Sequence, residues 1–544
     1  MIGVTFFGLF FTPVFYNVIR GFIERGEAKK PAGEAPAGAA KEASAPAPAP
    51  APAPAAKGAA HGLLLAVTTA LVVSASGCRW IQNGFEVGPD YVEPKTDVAE
   101  RWLDYKDPRV KSQEQNLAEW WTIFNDPALA KLEEMAYGQN LSLKAAGARI
   151  LEARARYGIA VGNIFPQLQE AAGSYSNNVA SDKTNFPVPD RWFPQWEAGF
   201  NLAWELDFWG RFRRGIEAAD ADLEASVHDY DDVLVILLSD VASAYVQYRT
   251  FEERLVFARQ NVEIQRKSYE LAQDKFKAGA VTERDVQQAK QVLEQTRALV
   301  PQLEAGRRQQ SNALCVLLGI SPRDLTDILG RAGKIPVAPR EVTIGIPADL
   351  LRRRPDVRRA ERVAARESAF IGVAEADFYP RFSLLGSIGV QAEFFKNLWF
   401  WPESLAGSIG PQFRWDILNY GRITHSVRAQ EARFEQSVYA YQDSVLRAGR
   451  EAEDAAIGFL KAHETTDALV LAVDAARRTV EITNEQYTTG VIDFTPVFIF
   501  QATLTGQQDT LAQSRGSIAL NLIALYRALG GGWEMRLTRE SKGS

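Results

Sequence analysis

From Val227 onward an apolar residue returns every seventh position, through Leu234, Val241, Tyr248, Leu255, Val262, Tyr269 and Phe276, with Leu223, Tyr230, Leu237, Ala244, Phe251 and Ala258 beside it. A 3.5-residue spacing held over so many turns specifies a helix that supercoils left-handedly against a partner helix. Read as one helix, residues 215–278 extend about 96 Å at ~1.5 Å per residue, roughly three times the width of a small domain. The pattern returns in Val438, Val445, Ala452, Phe459, Val473, Val480 and Tyr487, interrupted by the polar Thr466. The chain must therefore build an elongated body around long helices.

The second stretch is a copy of the first. Trp204, Gly210, Arg211, Tyr230, Phe276 and Gly279 recur as Trp415, Gly421, Arg422, Tyr441, Tyr487 and Gly490, each pair 211 positions apart (415 minus 204). The upstream pair Pro166 and Pro380 is offset by 214, so only short insertions separate the halves. Two copies of one architecture are expected, in place of a solenoid of many short repeats.

Before each rod the period changes to two. Trp196, Ala198, Phe200, Leu202, Trp204 and Leu206 alternate with Glu197, Gly199, Asn201, Ala203 and Glu205. Phe382, Leu384, Ile388, Val390, Ala392 and Phe394 alternate with Ser383, Ser387, Gly389, Gln391 and Glu393, and Leu405, Ile409, Phe413, Trp415 and Ile417 with Ala406, Ser408, Gln412, Arg414 and Asp416. With a weaker stretch upstream, strands are predicted at about 167–178, 195–207, 381–394 and 404–418. Half-buried soluble strands would alternate in the same way. These, however, have the ~9–11 residues that cross a bilayer, and Trp192, Phe193, Phe395, Trp399, Phe400 and Trp401 crowd their ends like an interfacial girdle. Lipid satisfies no open sheet edge, so membrane strands must close. Two chains would supply eight strands and a filled interior, three would supply twelve and a lumen, and strand count alone also permits four chains.

Other classes find little support. A net charge of −6 from 61 basic and 67 acidic residues leaves no basic excess for nucleic acid. The two cysteines, Cys78 and Cys315, make no disulfide framework, and His61, His228, His425 and His463 lie in no zinc spacing, so no metal or cofactor is expected. "GRAGK" at 330–334 lacks the length and the Ser/Thr of a phosphate loop, and no GxSxG occurs, so the chain does not read as an enzyme.

The N-terminal region begins twice. Residues 1–25 hold an apolar run long enough to span a membrane, 26–60 form an Ala/Pro-rich linker that can pack no core, and 61–77 have the parts of a lipoprotein signal. Lys57 precedes an apolar stretch from Leu63 to Val73, and the small Ala75, Ser76 and Gly77 lead to Cys78, the candidate lipidation site. A small buried cysteine behind an ordinary signal is the plainer alternative.

"VGPDYVEP", "WWTIFNDPALAKL", "WELDFWGR", "DLLRRRPDVRRAER", "GVAEADFYPRFSLLGSIG", "RWDILNYGR" and "LYRALGGGW" together resemble the outer membrane factor family, the TolC-like and NodT-like efflux channels, over about residues 87–534. "FFGLFFTPVFYNVIRGF" resembles the last transmembrane helix of a resistance-nodulation-division (RND) inner-membrane pump. The first resemblance implies a mixed α and β membrane protein with two structural repeats, 78–320 and 346–534, joined by an equatorial connection at 321–345 and followed by a tail at 535–544. It implies a homotrimer in which four strands per chain make a twelve-stranded β-barrel in outer-membrane lipid, continuous with a twelve-helix α-barrel in the periplasm. The implied role is that of a passive exit duct, fed by an RND-type pump through a periplasmic adaptor. An envelope-tethering lipoprotein with coiled-coil arms is the alternative.

The resemblance also points to the far ends of the rods. Gly279, Ala280 and Val281 form one docking turn for the adaptor, and Gly490, Val491 and Asp493 the other. Thr282 and Asp285 have the spacing of a capping box, and Thr495 is expected to cap a helix beginning at Pro496. Asp285 and Tyr487 match a closing latch of the family, whose Arg is replaced by Ile492. The acidic ring that the family places in the pore falls on Ile499, within "FIFQ", so an apolar gate is expected with Thr495 and Ile499 facing the lumen and Phe498 or Phe500 packing behind. The arginines around Pro355 are read as a structural belt, and "GGGW" at 530–533 as a helix stop.

Overall fold

Both heptad stretches fold as single uninterrupted helices. The computed structural model describes residues 84–538 apart from 97, 112–115, 182, 184–190, 331–332 and 346–351. The apolar run at 1–25, the linker, the signal-like segment and Cys78 lie outside the described residues.

In chain order the first elements are β1 (Val110–Lys111), α1 (Pro127–Gln139), α2 (Leu141–Gly162), β2 (Leu168–Val179), β3 (Trp192–Leu206), α3 (Arg211–Lys277), α4 (Glu283–Leu317) and the single turn α5 (Thr326–Leu329). Then come β4 (Val342–Thr343), α6 (Pro355–Glu375), β5 (Arg381–Ala392), β6 (Leu405–Arg414), α7 (Arg422–Thr489) and α8 (Phe494–Ala528). The long helices α3 and α7 have 67 and 68 residues, roughly 100 Å each at ~1.5 Å per residue, and α4 and α8 have 35 each. Each shorter helix therefore returns from a tip to the middle of its long partner. The strands join at the opposite ends of α3 and α7, so sheet and tips are separated by the length of the rods.

The heptad face of α3 meets several helices, not one. It packs on α2 and α6 over the half near the sheet and on α4 and α8 over the half near the tips. Leu234, Val241, Tyr248 and Leu255 are buried, whereas Phe276 at the tip is 46% exposed. The main core sits at mid-length, where Leu234, Leu238 and Tyr245 meet Trp120, Leu129 and Leu132 from the N-terminal segment, Phe459 of α7 and Leu522 and Tyr526 of α8.

The arginine-rich motif ties this waist together. Pro355 opens α6, where its missing N–H costs nothing. Arg354 is buried and donates to Ala528 O, Asp356 and Glu451 at 2.8 Å each. Arg359, Arg362 and Arg366 reach Asp229, Glu224 and Asp222 of α3 at 2.6, 3.0 and 2.7 Å. At the end of α8, Gly531 N donates back to Tyr526 O at 2.8 Å, so "GGGW" stops the helix as expected. A parallel bridge, Val110 to Val342, crosses from the N-terminal segment to the connection between the halves.

The four longer strands form one antiparallel sheet in the order β2-β3-β5-β6. Its register puts Tyr175 beside Trp196 and Ala392, Phe200 beside Ile388, and Phe382 beside Phe413, all on one face. The other face is polar and internally bonded: Asn201 donates to Glu170, Gln391 and Ser174 to Glu197, and Ser387 pairs with Ser408. The last strand ends at Arg414, short of the expected 418, because Arg414 pairs with Arg381, the first residue of β5, and Pro380 before it has no N–H to extend the ladder; Ile417 N then turns back to Trp415 O, and the Trp415 indole donates to Phe378 O at 2.9 Å. Trp204, its counterpart, donates in the same way to Ile164 O at 2.9 Å.

Candidate gate and docking turns at the helical tips

Each rod ends in the same backbone device. Gly279 N donates to Phe276 O and Ala280 N to Lys275 O, while Gly490 N donates to Tyr487 O and Val491 N to Gln486 O. These paired bonds make the left-handed helix stop that needs a positive φ, which Gly279 and Gly490 supply at +69° and +83°. A Cβ on either would meet nothing within 4 Å, so glycine is required by conformation and not by space. Ala280 and Val491 are exposed, while Val281 packs against the interior.

Beyond the turns the two return helices start differently. Thr282 N donates to Asp285 Oδ2 at 3.2 Å, the reciprocal arm of the capping box expected for α4. For α8 the expectation fails: the cap is Asp493, whose carboxylate accepts from Thr495 N at 3.2 Å, and the helix begins at Phe494. Asp493 reaches the first-turn amides before Thr495 can, and Pro496 still falls within that turn, where no N–H is missed.

A small buried cluster joins the two tips. Ala272 of α3, Val286 and Ala289 of α4, Tyr487 of α7 and Phe494 and Val497 of α8 pack together, with Phe498 and Ile492 against them. The Tyr487 and Phe494 rings meet edge to face at 5.2 Å. Asp285 and Tyr487, the matched latch residues, both enter this region and are 3% and 2% exposed. Neither the Tyr487 hydroxyl nor Asp285 Oδ1 has a hydrogen-bond partner among the described residues. Burial, then the nearby Asp285 charge, push the tyrosine hydroxyl up to about 12.

Other side chains, which the sequence reading did not single out, cross between the tips. Lys275 donates to Tyr487 O and to Thr488 O and lies 4.6 Å from the centre of the Tyr487 ring. Arg284 pairs with Asp493 at 3.1 Å, and Thr495 Oγ1 donates to Gln288 at 3.4 Å. Further along the seam of α3 with α8, Gln501 Nε2 donates to Ser268 Oγ at 2.8 Å, Gln265 Nε2 to Thr505 Oγ1 at 3.3 Å and Asn261 Nδ2 to Gln508 Oε1 at 2.7 Å. The spacing of 261, 265, 268 and of 501, 505, 508 is i, i+4, i+7 on each helix, a polar stripe that periodicity could have found.

The expected gate residues occupy the first turns of α8. Ile499 and Phe500 are 49% and 39% exposed, Thr495 is half-buried, and Phe498 rather than Phe500 packs against the tip cluster. From Phe494 to Gln508 the helix carries no Asp, Glu, Lys or Arg. An exposed uncharged helix face beside two exposed turns can pack against copies of itself and receive a partner at its end.

The sequence profile described as "Outer membrane efflux protein" matches residues 132–320 and 346–531. Nodulation protein T of Rhizobium leguminosarum bv. trifolii is 30% identical over 457 residues, covering 83% of this chain and 95% of that protein. The cation efflux system protein CusC of Escherichia coli is 27% identical over 464 residues, covering 83% and 96%. Among solved structures, the outer-membrane channel OprN superposes with a TM-score of 0.77 at 32% identity, over 82% of this chain and 99% of that one. CusC superposes at 0.70 and 26%, over 82% and 100%. Fold, matched halves and relatives agree: the chain belongs to the outer membrane efflux protein family.

Proposed function

We propose that three copies of this chain form a passive exit duct across the outer membrane and periplasm, receiving substrate from an RND-type inner-membrane pump through a periplasmic adaptor. The observation that carries this reading is the sheet. Its apolar face is exposed, with Phe200 at 66%, Ile388 at 58%, Ile409 at 79% and Phe413 at 59%, while the outer sides of its edge strands β2 and β6 pair with no further strand among the described residues. Such a face costs free energy in water and is neutral in lipid, and the open edges must then pair with other copies. Twelve strands close around a lumen lined by Glu170, Glu197, Asn201, Ser387 and Ser408. A tether would have no use for that polar face.

Dimensions support the membrane placement. Phe382, Phe413 and Phe208 cluster at one end of the apolar face, and Tyr175, Trp196 and Phe395 at the other. The ten residue steps from Phe382 to Ala392 span about 33 Å, or about 23 Å at ~45° tilt, close to the ~25 Å apolar band of an outer-membrane barrel. Each repeat, 78–320 and 346–534, supplies two strands and one helical hairpin, and Cys78 carries the lipid anchor.

The tips are the periplasmic gate. Ile499 and Thr495 from three chains form an uncharged constriction that dewets when narrow, with Phe498 behind it. The Gly279 and Gly490 turns receive the adaptor. Native mass spectrometry of the purified protein in detergent tests the assembly. Three copies are expected, and a species of one or two copies as the sole assembly would refute the closed barrel.

A further inference from the structure

The connection between the two halves covers a cavity of about 770 Å³, with residues 333–338 and Arg340 as one wall and side chains of α3, α4, α7 and α8 as the others. The wall is fixed: Ile335 is buried in the main core, and Gly333 lies so close to the Arg249 guanidinium that no Cβ would fit. Arg249 already holds Glu252 at 2.6 Å, so Arg307, 3.9 Å from the same carboxylate, is only half balanced. Lys334 is exposed and meets no carboxylate among the described residues, whereas Arg340 and Arg515 are matched by Asp467 and Glu253 at 2.9 and 2.7 Å. Val256 and Val337 bring apolar surface to the same cavity, 53% and 78% exposed. His463 adds an unused acceptor. It is 8% exposed, stands edge to face on Phe459 at 4.8 Å, and donates one ring N–H to the Pro339 backbone. Burial, then the Arg340 charge, hold it below the usual imidazole range, so the ring is neutral at pH 7. A neutral imidazole that donates through one nitrogen accepts through the other, and here Nε2 is buried with no partner among the described residues.

We propose that this cavity binds a small organic anion that carries an apolar body and a hydroxyl or N–H group. Its anionic head pairs with Arg307 and Lys334, its body covers Val256 and Val337, and its donor reaches His463 Nε2. Each feature selects one part of the ligand. The surplus positive charge favours the anion, and covering the two valines removes hydrocarbon from water. The buried nitrogen rewards a donor, because an acceptor left unmatched in an occupied site keeps its desolvation penalty. A fixed wall with few polar groups on apolar surface is the usual build of a small-molecule site. Binding also fastens the connection to the helices it crosses. None of these residues belongs to the sheet or the tips, so the site stands whether or not the tips are the gate.

Hydrogen–deuterium exchange of the full assembled chain in amphipol tests this, with ω-hydroxydodecanoate, dodecanoate and dodecanediol as probes. The hydroxy acid should slow exchange across 333–340. Dodecanoate, which lacks the donor, should need about tenfold more ligand for the same protection, and the uncharged diol should give none. Lys334→Glu with Arg307→Gln should weaken both acids about tenfold. His463→Phe should bring the hydroxy acid down to the level of dodecanoate, whereas a merely structural role would weaken both acids alike. Should the His463 variant fail to assemble, the comparison of the three probes on the unmutated protein and on the Lys334 and Arg307 variant decides. Equal protection by all three probes would mean an unselective apolar crevice and overturn the proposal. So would protection unchanged in the charge variant, or a segment 333–340 that is slow without ligand and indifferent to the acids, the sign of a second copy covering it.

Discussion

Gly279 and Gly490 show what a single residue decides here. Each holds a positive φ in open space, so a side chain there is penalised by backbone conformation alone. Gly279→Val or Gly490→Val should cost about 1–2 kcal/mol locally and weaken adaptor cross-linking and drug export while assembly survives. Unchanged export in both variants would place docking elsewhere. The two turns and Asp285 were legible in the sequence because caps and stops are local chemistry. The Asp493 cap was not, since Asp and Thr compete two residues apart. Lys275 and Arg284 were hidden because their partners lie more than two hundred residues away, on the other hairpin. At Ile499 the expected consequence is electrostatic. Ile499→Asp should create block by di- and trivalent cations from the periplasmic side, for three Ile side chains offer no oxygen ligands and three carboxylates do. Strong block of the unmutated channel would contradict the apolar gate. At the waist, burial and then the Asp356 charge raise the Asp232 carboxyl to about 6. A folded-state value above the unfolded one means that Asp232 lowers stability above about pH 6, a loss that fades toward pH 4. Asp232→Asn should therefore raise thermal stability by about 1–3 kcal/mol at pH 7.5 and by little near pH 4.

At the scale of elements, strands and long helices were readable for different reasons. Alternation in 196–206 and 382–394 assigned each side chain to a face, and the register keeps those faces consistent across the four strands. The pairing order β2-β3-β5-β6 was not in the sequence, because periodicity says nothing about neighbours. The heptads predicted the rods, but not that one helix face would be shared by several partners along its length. Polar residues in the seam of α3 with α8 broke the apolar pattern without declaring a purpose. The connection from β5 to β6 offers a separate test. Trp399, Phe400 and Trp401 are 70%, 60% and 66% exposed, and Phe395 folds onto Trp196 on the apolar side of the sheet. Ser404 Oγ donates to Leu398 O and Phe400 O at 2.9 and 2.8 Å, which fixes the loop in that position. A spin label at Trp399→Cys in reconstituted protein should be more accessible to oxygen than to a water-soluble nickel complex. The reverse order would put the loop in water or over the pore.

For the whole molecule, the decisive features were the repeat with a fixed offset and the motifs spread through both halves. The offset matches the architecture, in which each half supplies two strands and one helical hairpin, as the proposed multi-chain tube would need. The sequence argued for closure but left the number of copies open to strand counting; in the proposed duct, the exposed apolar face and the two open outer edges are what other copies would cover. One measurement tests this account most directly: the conductance of the purified, membrane-reconstituted protein across a planar bilayer. Discrete steps from a mostly closed channel are expected, with Ile499→Ser raising the basal open level by wetting the constriction. Protein that inserts into the bilayer and yields no conductance in either form would contradict it.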